Sequence, residues 1–248
     1  MSNIKYDFTN QNFIVTGASS GMGKQVVIEL AEAGANVLAI ARGAEALDKL
    51  QQLYPEHISI ASVDVCDAEK LEVVINSFVK SKGKLDGAVH AAGISVLTPL
   101  RGYNNEEARK IMDISFWAGA TLVKICSKVK ISNGGASFVL FSSVRSQKTD
   151  KGLFAYAGAK AAMKIAVKTF AKELSNRSLR INTISPGWVN TNMTTQLEET
   201  NNLDEVNQNH LLGIGIPEDV SGVVLFMLSD RSKWMTGTDI VVDGGYLA

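Results

Sequence analysis

Short, continuously apolar runs punctuate the chain from end to end: NFIVTG at 12–17, NVLAIA at 36–41, ISIASVD at 58–64, DGAVHAA at 86–92, ASFVLFS at 136–142, RINTIS at 180–185 and DIVVD at 239–243. Runs that are apolar throughout, rather than alternating with polar residues, suit strands buried on both faces, as in a parallel sheet. Longer segments with helical character lie between them, at 22–33, 67–82, 105–130, 153–176 and 217–229. This alternation predicts an α/β fold, a doubly wound parallel sheet of about seven strands with helices on both faces, Rossmann-like in plan. No proline-rich linker or low-complexity segment breaks the pattern, so a single domain over 1–248 is expected. The one irregular stretch is 188–216, WVNTNMTTQLEETNNLDEVNQNHLLGIGI. It is polar, rich in Asn and Thr, and too long for a plain connection, which is the expected look of a substrate lid.

Composition narrows the partners. Lysine plus arginine balances aspartate plus glutamate at 25 each in 248 residues, with no long run of one sign. Nothing there favours nucleic acid or an anionic membrane surface. The start, MSNIKYDFTNQ, lacks the basic-then-apolar order of a signal peptide. No apolar run approaches the roughly 18 residues of a membrane helix, so a cytoplasmic protein is expected. Cys66 and Cys126 have no metal-ligand spacing, so no metal is expected, and Cys126 in its apolar helical pattern reads as a buried free thiol.

Ligands of such sheets bind beyond the carboxyl ends of the strands. The first strand runs into VTGASSGMGKQ at 15–25, a glycine turn entering a helix and hence a cradle for phosphate. Two familiar spacings fail. Counting back from Gly23-Lys24 lands on Ala18 rather than the glycine an ATP loop needs, and Gly17, Gly21 and Gly23 do not fit G-x-G-x-x-G. The other strand ends carry Ala41-Arg42, Asp64-Val65, Ala91-Ala92-Gly93, Ser142-Ser143 and Pro186-Gly187. Downstream, Tyr156 and Lys160 stand at i and i+4, on one helix face. An ammonium beside a phenol favours the phenolate, and a phenol of lowered pKa is a good proton donor to a carbonyl oxygen. A serine from a neighbouring strand end could share that oxygen. With a dinucleotide in the glycine turn, these parts amount to hydride transfer.

Taken in order, TGASSGMG at 16–23, DV at 64–65, AAG at 91–93, Ser143, YAGAK at 156–160, PGWVNT at 186–191 and DGG at 243–245 resemble the motifs of the short-chain dehydrogenase/reductase family over about residues 10 to 246. The resemblance implies that Tyr156 donates or accepts the proton and that Ser143, rather than Ser142, positions the substrate oxygen. Lys160 would bind the nicotinamide ribose and lower the tyrosine pKa. It implies a cofactor site of Gly17, Ser19, Ser20, Gly21, Met22, Gly23 and Arg42, with Asp64, Val65, Ala91, Ala92 and Gly93. Pro186, Gly187, Val189 and Thr191 complete it, beside Tyr156 and Lys160. Ala41 leaves the acidic position after the second strand empty and Arg42 follows, so NADP(H) is expected over NAD(H). Ser95, Arg145, Trp188 and Met193 are expected to line the substrate site with Ser143 and Tyr156.

Three departures from the family pattern stand out. Ser115, in MDISFW, occupies the place of an asparagine that holds a relay water. His90 stands where asparagine is frequent and reads as a structural loop histidine. Arg145, with Lys148 and Lys151 nearby, reads as a solvated loop charge, the alternative being attraction of an anionic substrate such as a phosphopantetheine thioester or a nucleotide sugar. The expected function is an oxidoreductase passing hydride between NADP(H) and a ketone or secondary alcohol, with a 3-oxoacyl thioester or a sugar-type carbonyl as candidate substrates. A non-catalytic NADP(H)-binding regulator or scaffold is the alternative. The family's habits further imply a homotetramer, or a dimer, built through 105–130 and 153–176, with the C-terminal YLA packed on a neighbour.

Overall fold

The computed structural model describes residues 5–194 and 208–248. Its seven strands are β1 (Asn12–Thr16), β2 (Asn36–Ala41), β3 (Ile58–Ser62), β4 (Leu85–His90), β5 (Ser132–Phe141), β6 (Arg180–Pro186) and β7 (Asp239–Val242). They form one sheet in the order β3-β2-β1-β4-β5-β6-β7, and every neighbouring pair is parallel. The predicted architecture is therefore present. The order reverses between β1 and β4, where Phe13 pairs with Gly87 and Thr16 with His90. That reversal opens a crevice at the carboxyl ends of the strands, the place where such sheets take their ligands.

Two helical layers cover the sheet. One holds α1 (Gly21–Glu32), α2 (Ala44–Gln51) and α7 (Pro217–Leu228); the other holds α3 (Ala68–Lys82), α5 (Ala118–Cys126) and α6 (Phe154–Leu174). The strands feed both layers in alternation. Phe13, Val15, Val37 and Ala39 pack on the α1 and α7 side, whereas Ile14, Leu38 and Ile40 pack against α3, α5 and α6. A strand with two buried faces has no polar face to show, which is why the sequence lacked the two-residue alternation.

The structure redraws some boundaries. The expected helix over 105–130 is α4 (Asn105–Met112), a five-residue π turn (Asp113–Trp117) and α5, which ends at Cys126. In the π turn the Ala118 N–H reaches back to the Asp113 carbonyl. Helix α2 was not among the predicted helices. It is short and polar on its exposed side, and only Leu47 and Leu50 are buried. β3 ends at Ser62, so Asp64 lies beyond the strand rather than in it. Cys126 is a buried free thiol as expected, and Cys66 is exposed. Of the lid expected over 188–216, residues 195–207 lie outside the described residues. Its two flanks are stitched together, with Asn190 N donating to Gly215 O (2.8 Å) and Gly215 N to Trp188 O (3.0 Å). No described helix is long and apolar enough to cross a membrane.

A single buried side chain closes the end of α7. Arg180, the first residue of β6, donates from Nη1 to Met227 O (2.9 Å), Ser232 O (3.1 Å) and Ser232 Oγ (2.9 Å), and from Nη2 to Ser229 O (3.1 Å). The last carbonyls of a helix have no partners within it, and a cation there also complements the dipole. Arg180→Met is expected to lower the unfolding free energy by about 3 kcal/mol, because buried carbonyls lose charged donors. Urea unfolding followed by circular dichroism measures this directly.

Candidate active site

The glycine turn after β1 is shaped by close backbone approach. Gly17 has φ +72°, and a Cβ on it would lie 2.6 Å from Ala92 N. A Cβ on Gly23 would lie 2.4 Å from Gly17 O. Only hydrogen fits at either position. Ser20 caps α1 with extended backbone but makes no side-chain cap, and the first turn of the helix holds no acid. Its leading N–H groups and positive dipole end therefore face the crevice without a competing anion.

The crevice encloses about 250 Å³. Gly17, Ser19, Ser20, Gly21, Met22 and Gly23 form one wall. Arg42, Asp64 and Val65 line the β2–β3 end, and Ala91, Ala92 and Gly93 line the β4 side. Thr191 and Met193 reach it from beyond β6. Asp64 also caps its own turn, accepting from Cys66 N at 2.9 Å. Arg42 is exposed, and its carbonyl accepts from Ser62 Oγ at 2.9 Å. Sequence reasoning missed Ile94 and Ile114, which also line this space; nothing distinguishes them from core residues until the fold is known. Of the cofactor-site residues expected from sequence, Pro186, Gly187, Val189, Tyr156 and Lys160 do not line this crevice. Val189 is buried in the core under α7.

A second, smaller cavity of about 110 Å³ adjoins it, and Met193 lines both. Here Ser95, Ser143, Arg145, Tyr156, Trp188 and Met193 come together, as do Gly187, Leu97, His210 and Tyr246. Ser142 and Ser143 have different surroundings. Ser142 Oγ is occupied in donating to Lys160 O (3.0 Å), whereas Ser143 Oγ faces the cavity and accepts from Arg145 N (3.2 Å).

Tyr156 lies in the first turn of α6, and Lys160 one turn later. Lys160 Nζ stands 5.6 Å from the Tyr156 ring centroid and donates to Phe141 O at 2.8 Å. It is buried with no carboxylate paired to it among the described residues, and burial brings its pKa down to about 8. Burial raises the Tyr156 pKa, opposed by a Ser143 hydrogen bond and by the charge of Arg145. Desolvation of the phenolate outweighs both, so the phenol stands above its usual range rather than drawn towards neutrality as expected.

Ser115 and His90 meet around the π turn. Ser115 Oγ is buried and makes no hydrogen bond among the described residues. A Cβ on Gly93 would lie 3.5 Å from Ser115 Oγ and 3.4 Å from Lys160 Nζ, so both polar groups border the same gap. His90 is not in a loop but is the last residue of β4, and it is fully buried. Nε2 lies 3.0 Å from Ile114 O and Nδ1 lies 2.9 Å from Thr16 Oγ1. A carbonyl only accepts, so Nε2 carries the proton and Nδ1 accepts from the Thr16 hydroxyl. One imidazole thus ties β1 and β4 to the π turn that carries Ser115.

Arg145 differs from the sequence reading as well. Its side chain is only 15% exposed and pairs with Asp150. Nη1 donates to Tyr246 OH at 2.7 Å, with the guanidinium 5.2 Å from that ring's centroid. It is a packed charge rather than a solvated one. Tyr246, expected on a neighbouring copy, is instead buried in its own chain and stacks on His210 at 4.8 Å. Neither Tyr246 nor His210 carries a sequence signal for this cavity, because chain segments far apart deliver them.

Comparison with known proteins follows the same lines. A family model described as enoyl-(acyl carrier protein) reductase matches residues 17–247. The chain is 31% identical over 235 residues to the 3-oxoacyl-(acyl-carrier-protein) reductase FabG of Thermotoga maritima, covering 94% of this chain and 96% of that protein. It is 29% identical over 243 residues to the D-erythrulose reductase of Gallus gallus, covering 97% of each. Among solved structures, a short-chain dehydrogenase/reductase from Brucella melitensis described as a glucose/ribitol dehydrogenase superposes with a TM-score of 0.93 at 26% identity, covering 98% of this chain and 99% of that one.

His90 makes the site acid-sensitive. Burial holds its pKa at about 4, well below the 6.5 of a free imidazole. Between those values the unfolded chain binds a proton that the folded one does not, so stability falls as pH drops through the window. The full loss at pH 4 is on the order of 3 kcal/mol. Urea unfolding of wild type and His90→Gln at pH 7 and pH 4 checks this, with the variant expected to lose less by about that amount.

Proposed function

The chain belongs to the short-chain dehydrogenase/reductase family of nicotinamide-dependent oxidoreductases, and from that premise we propose that it is an NADP(H)-dependent enzyme interconverting a ketone and a secondary alcohol, with Tyr156 as acid and base. The observation that carries this reading is the convergence of Ser143 and Tyr156 in the small cavity, with Lys160 behind Tyr156, beside a glycine-walled crevice. The glycine cradle fits a dinucleotide: Gly17 and Gly23 have no room for a side chain, and α1 points an uncapped positive end at the pyrophosphate position. Asp64 and Val65 would hold the adenine end, and Lys160 the ribose nearest the carbonyl. Arg42 at the β2 terminus would hold a 2′-phosphate, because Ala41 offers no carboxylate to a free 2′-hydroxyl.

When bound, the dinucleotide supplies or takes up hydride at the substrate carbon. The residues of the chain manage the oxygen. Ser143 Oγ donates a hydrogen bond to it and holds it within reach of Tyr156. With its pKa raised by burial, the phenol keeps its proton at neutral pH and is ready to give it as the oxygen gains charge. In oxidation the same groups run in reverse. The charged form of Lys160 stabilises the phenolate left behind. Ser115, buried next to Gly93 and without a hydrogen-bond partner among the described residues, would hold a water that returns the proton.

We extend the proposal to a cytoplasmic enzyme of one domain acting on a 3-oxoacyl thioester or a sugar-type carbonyl, in line with the substrates its relatives are named for. Exposed Trp117 and Phe154, beside Tyr103 on the α4–α6 face, support assembly as a homotetramer or dimer.

The test is an NADPH and NADH titration followed by absorbance at 340 nm against a ketone panel. NADPH is expected to bind more tightly than NADH, and Arg42→Asp to cost at least tenfold in NADPH affinity, since a phosphate loses a charged partner. Tyr156→Phe is expected to lower kcat by a factor on the order of 10² to 10⁴ with cofactor affinity retained. Tight binding without Tyr156-dependent turnover would favour the regulator reading instead.

A further inference from the structure

We propose that Arg145 determines substrate specificity by receiving a carboxylate carried by the substrate, a few bonds from the carbonyl that is reduced. The assignment rests on the reductase reading above and sharpens it. Arg145 begins two residues from Ser143 and donates its own N–H to the Ser143 hydroxyl. Its guanidinium lines the cavity that holds Ser143 and Tyr156, not the crevice at the start of α1, so it serves the substrate rather than the dinucleotide phosphates.

Three features make it a receptor instead of a settled ion pair. First, the ion pair with Asp150 and the hydrogen bond to the Tyr246 hydroxyl are both made by Nη1. Nε and Nη2 make no hydrogen bond among the described residues, which leaves a free pair of donors of the kind that matches a carboxylate in two-point fashion. Secondly, Asp150 is 57% exposed at the rim, so its hold on Arg145 is screened and weak enough to be shared or displaced. Thirdly, the surroundings are positive. Among the described residues that line the cavity, Arg145 and Lys151 stand against the acid Asp150, and Lys148 Nζ lies 4.4 Å from the Tyr246 ring centroid.

The arginine is also held ready. Its guanidinium lies over the Tyr246 ring, and Tyr246 in turn stacks on His210, whose Nε2 accepts from Trp188 N at 3.1 Å. A planar cation fixed on an aromatic face loses little freedom when it binds. The same charge opposes the upward shift of the Tyr156 phenol, so it favours the phenolate formed when the proton is given up. The modest cavity, about 110 Å³, and the apolar edge from Trp188 and Met193 suit a short oxo acid.

The experiment compares NADPH oxidation with 3-oxobutanoate, 4-oxopentanoate and 5-oxohexanoate against their methyl esters, in wild type, Arg145→Gln and Arg145→Lys. At least one acid is expected to exceed its ester tenfold or more in kcat/KM. Arg145→Gln is expected to cut that acid-to-ester ratio at least tenfold, and Arg145→Lys to keep part of it. Reading a ratio removes any loss of folded enzyme from the result, and NADPH titration of each variant reports the fold separately. Esters reduced as well as acids, or a ratio unchanged in Arg145→Gln, would overturn the carboxylate site and leave the reductase reading standing. A preference confined to 3-oxobutanoyl coenzyme A over its uncharged N-acetylcysteamine thioester would also overturn it, assigning Arg145 to the phosphates of a carrier. If neither these compounds nor the uncharged ketone panel is turned over, both readings fall together.

Discussion

Between β1 and β4 two backbones come so close that no side chain fits. A Cβ on Gly17 would sit 2.6 Å from Ala92 N, and one on Gly23 would sit 2.4 Å from the Gly17 carbonyl. This contact places α1 directly above the point where the strand order reverses, and so decides where the crevice opens and which N–H groups face into it. Every other part of the site is measured from that junction. Gly93, at the far side of the β4 terminus, leaves the gap that Ser115 and Lys160 border. His90, the last residue of β4, ties Thr16 to the π turn.

Electrostatics at the site is governed by desolvation more than by pairing. Lys160 is buried and Tyr156 half-buried, with no carboxylate paired to either among the described residues, and desolvation drives each towards its neutral form. A lysine brought to about 8 and a phenol held above its usual range are ground-state costs borne by the rest of the fold. The π turn adds to this. It leaves Ser115 Oγ buried without a hydrogen-bond partner among the described residues, a small cost of the kind that gathers at functional sites.

Much of the fold was legible because a parallel sheet buried on both faces leaves a plain signal, a short apolar run ended by small or polar residues. The seven predicted strands correspond to the seven observed, with shifts of a few residues at some ends. Helix α2 escaped notice because it buries only two leucines, and the π turn because its break in the ladder has no glycine or proline to mark it. The glycine turn, the Tyr156–Lys160 pair and Ser143 were legible for a different reason. Each is a local pattern whose spacing alone places groups on one helix face or at one strand end.

What the sequence determined by itself was this local chemistry and its order along the chain. Local spacing dictates which side chains share a face, and strand ends in such a sheet share an edge. Tertiary structure decided how the charges behave and what they touch. Arg145 read as a solvated loop charge, and Tyr246 as a contact for another copy. The fold brings them together from positions 101 residues apart and packs Lys148 against the same ring. His90 read as a loop residue until β4 was seen to carry it into a fully buried position between two strands and a helix. Burial and long-range contact depend on which distant segments share space, and no periodicity in the chain encodes that.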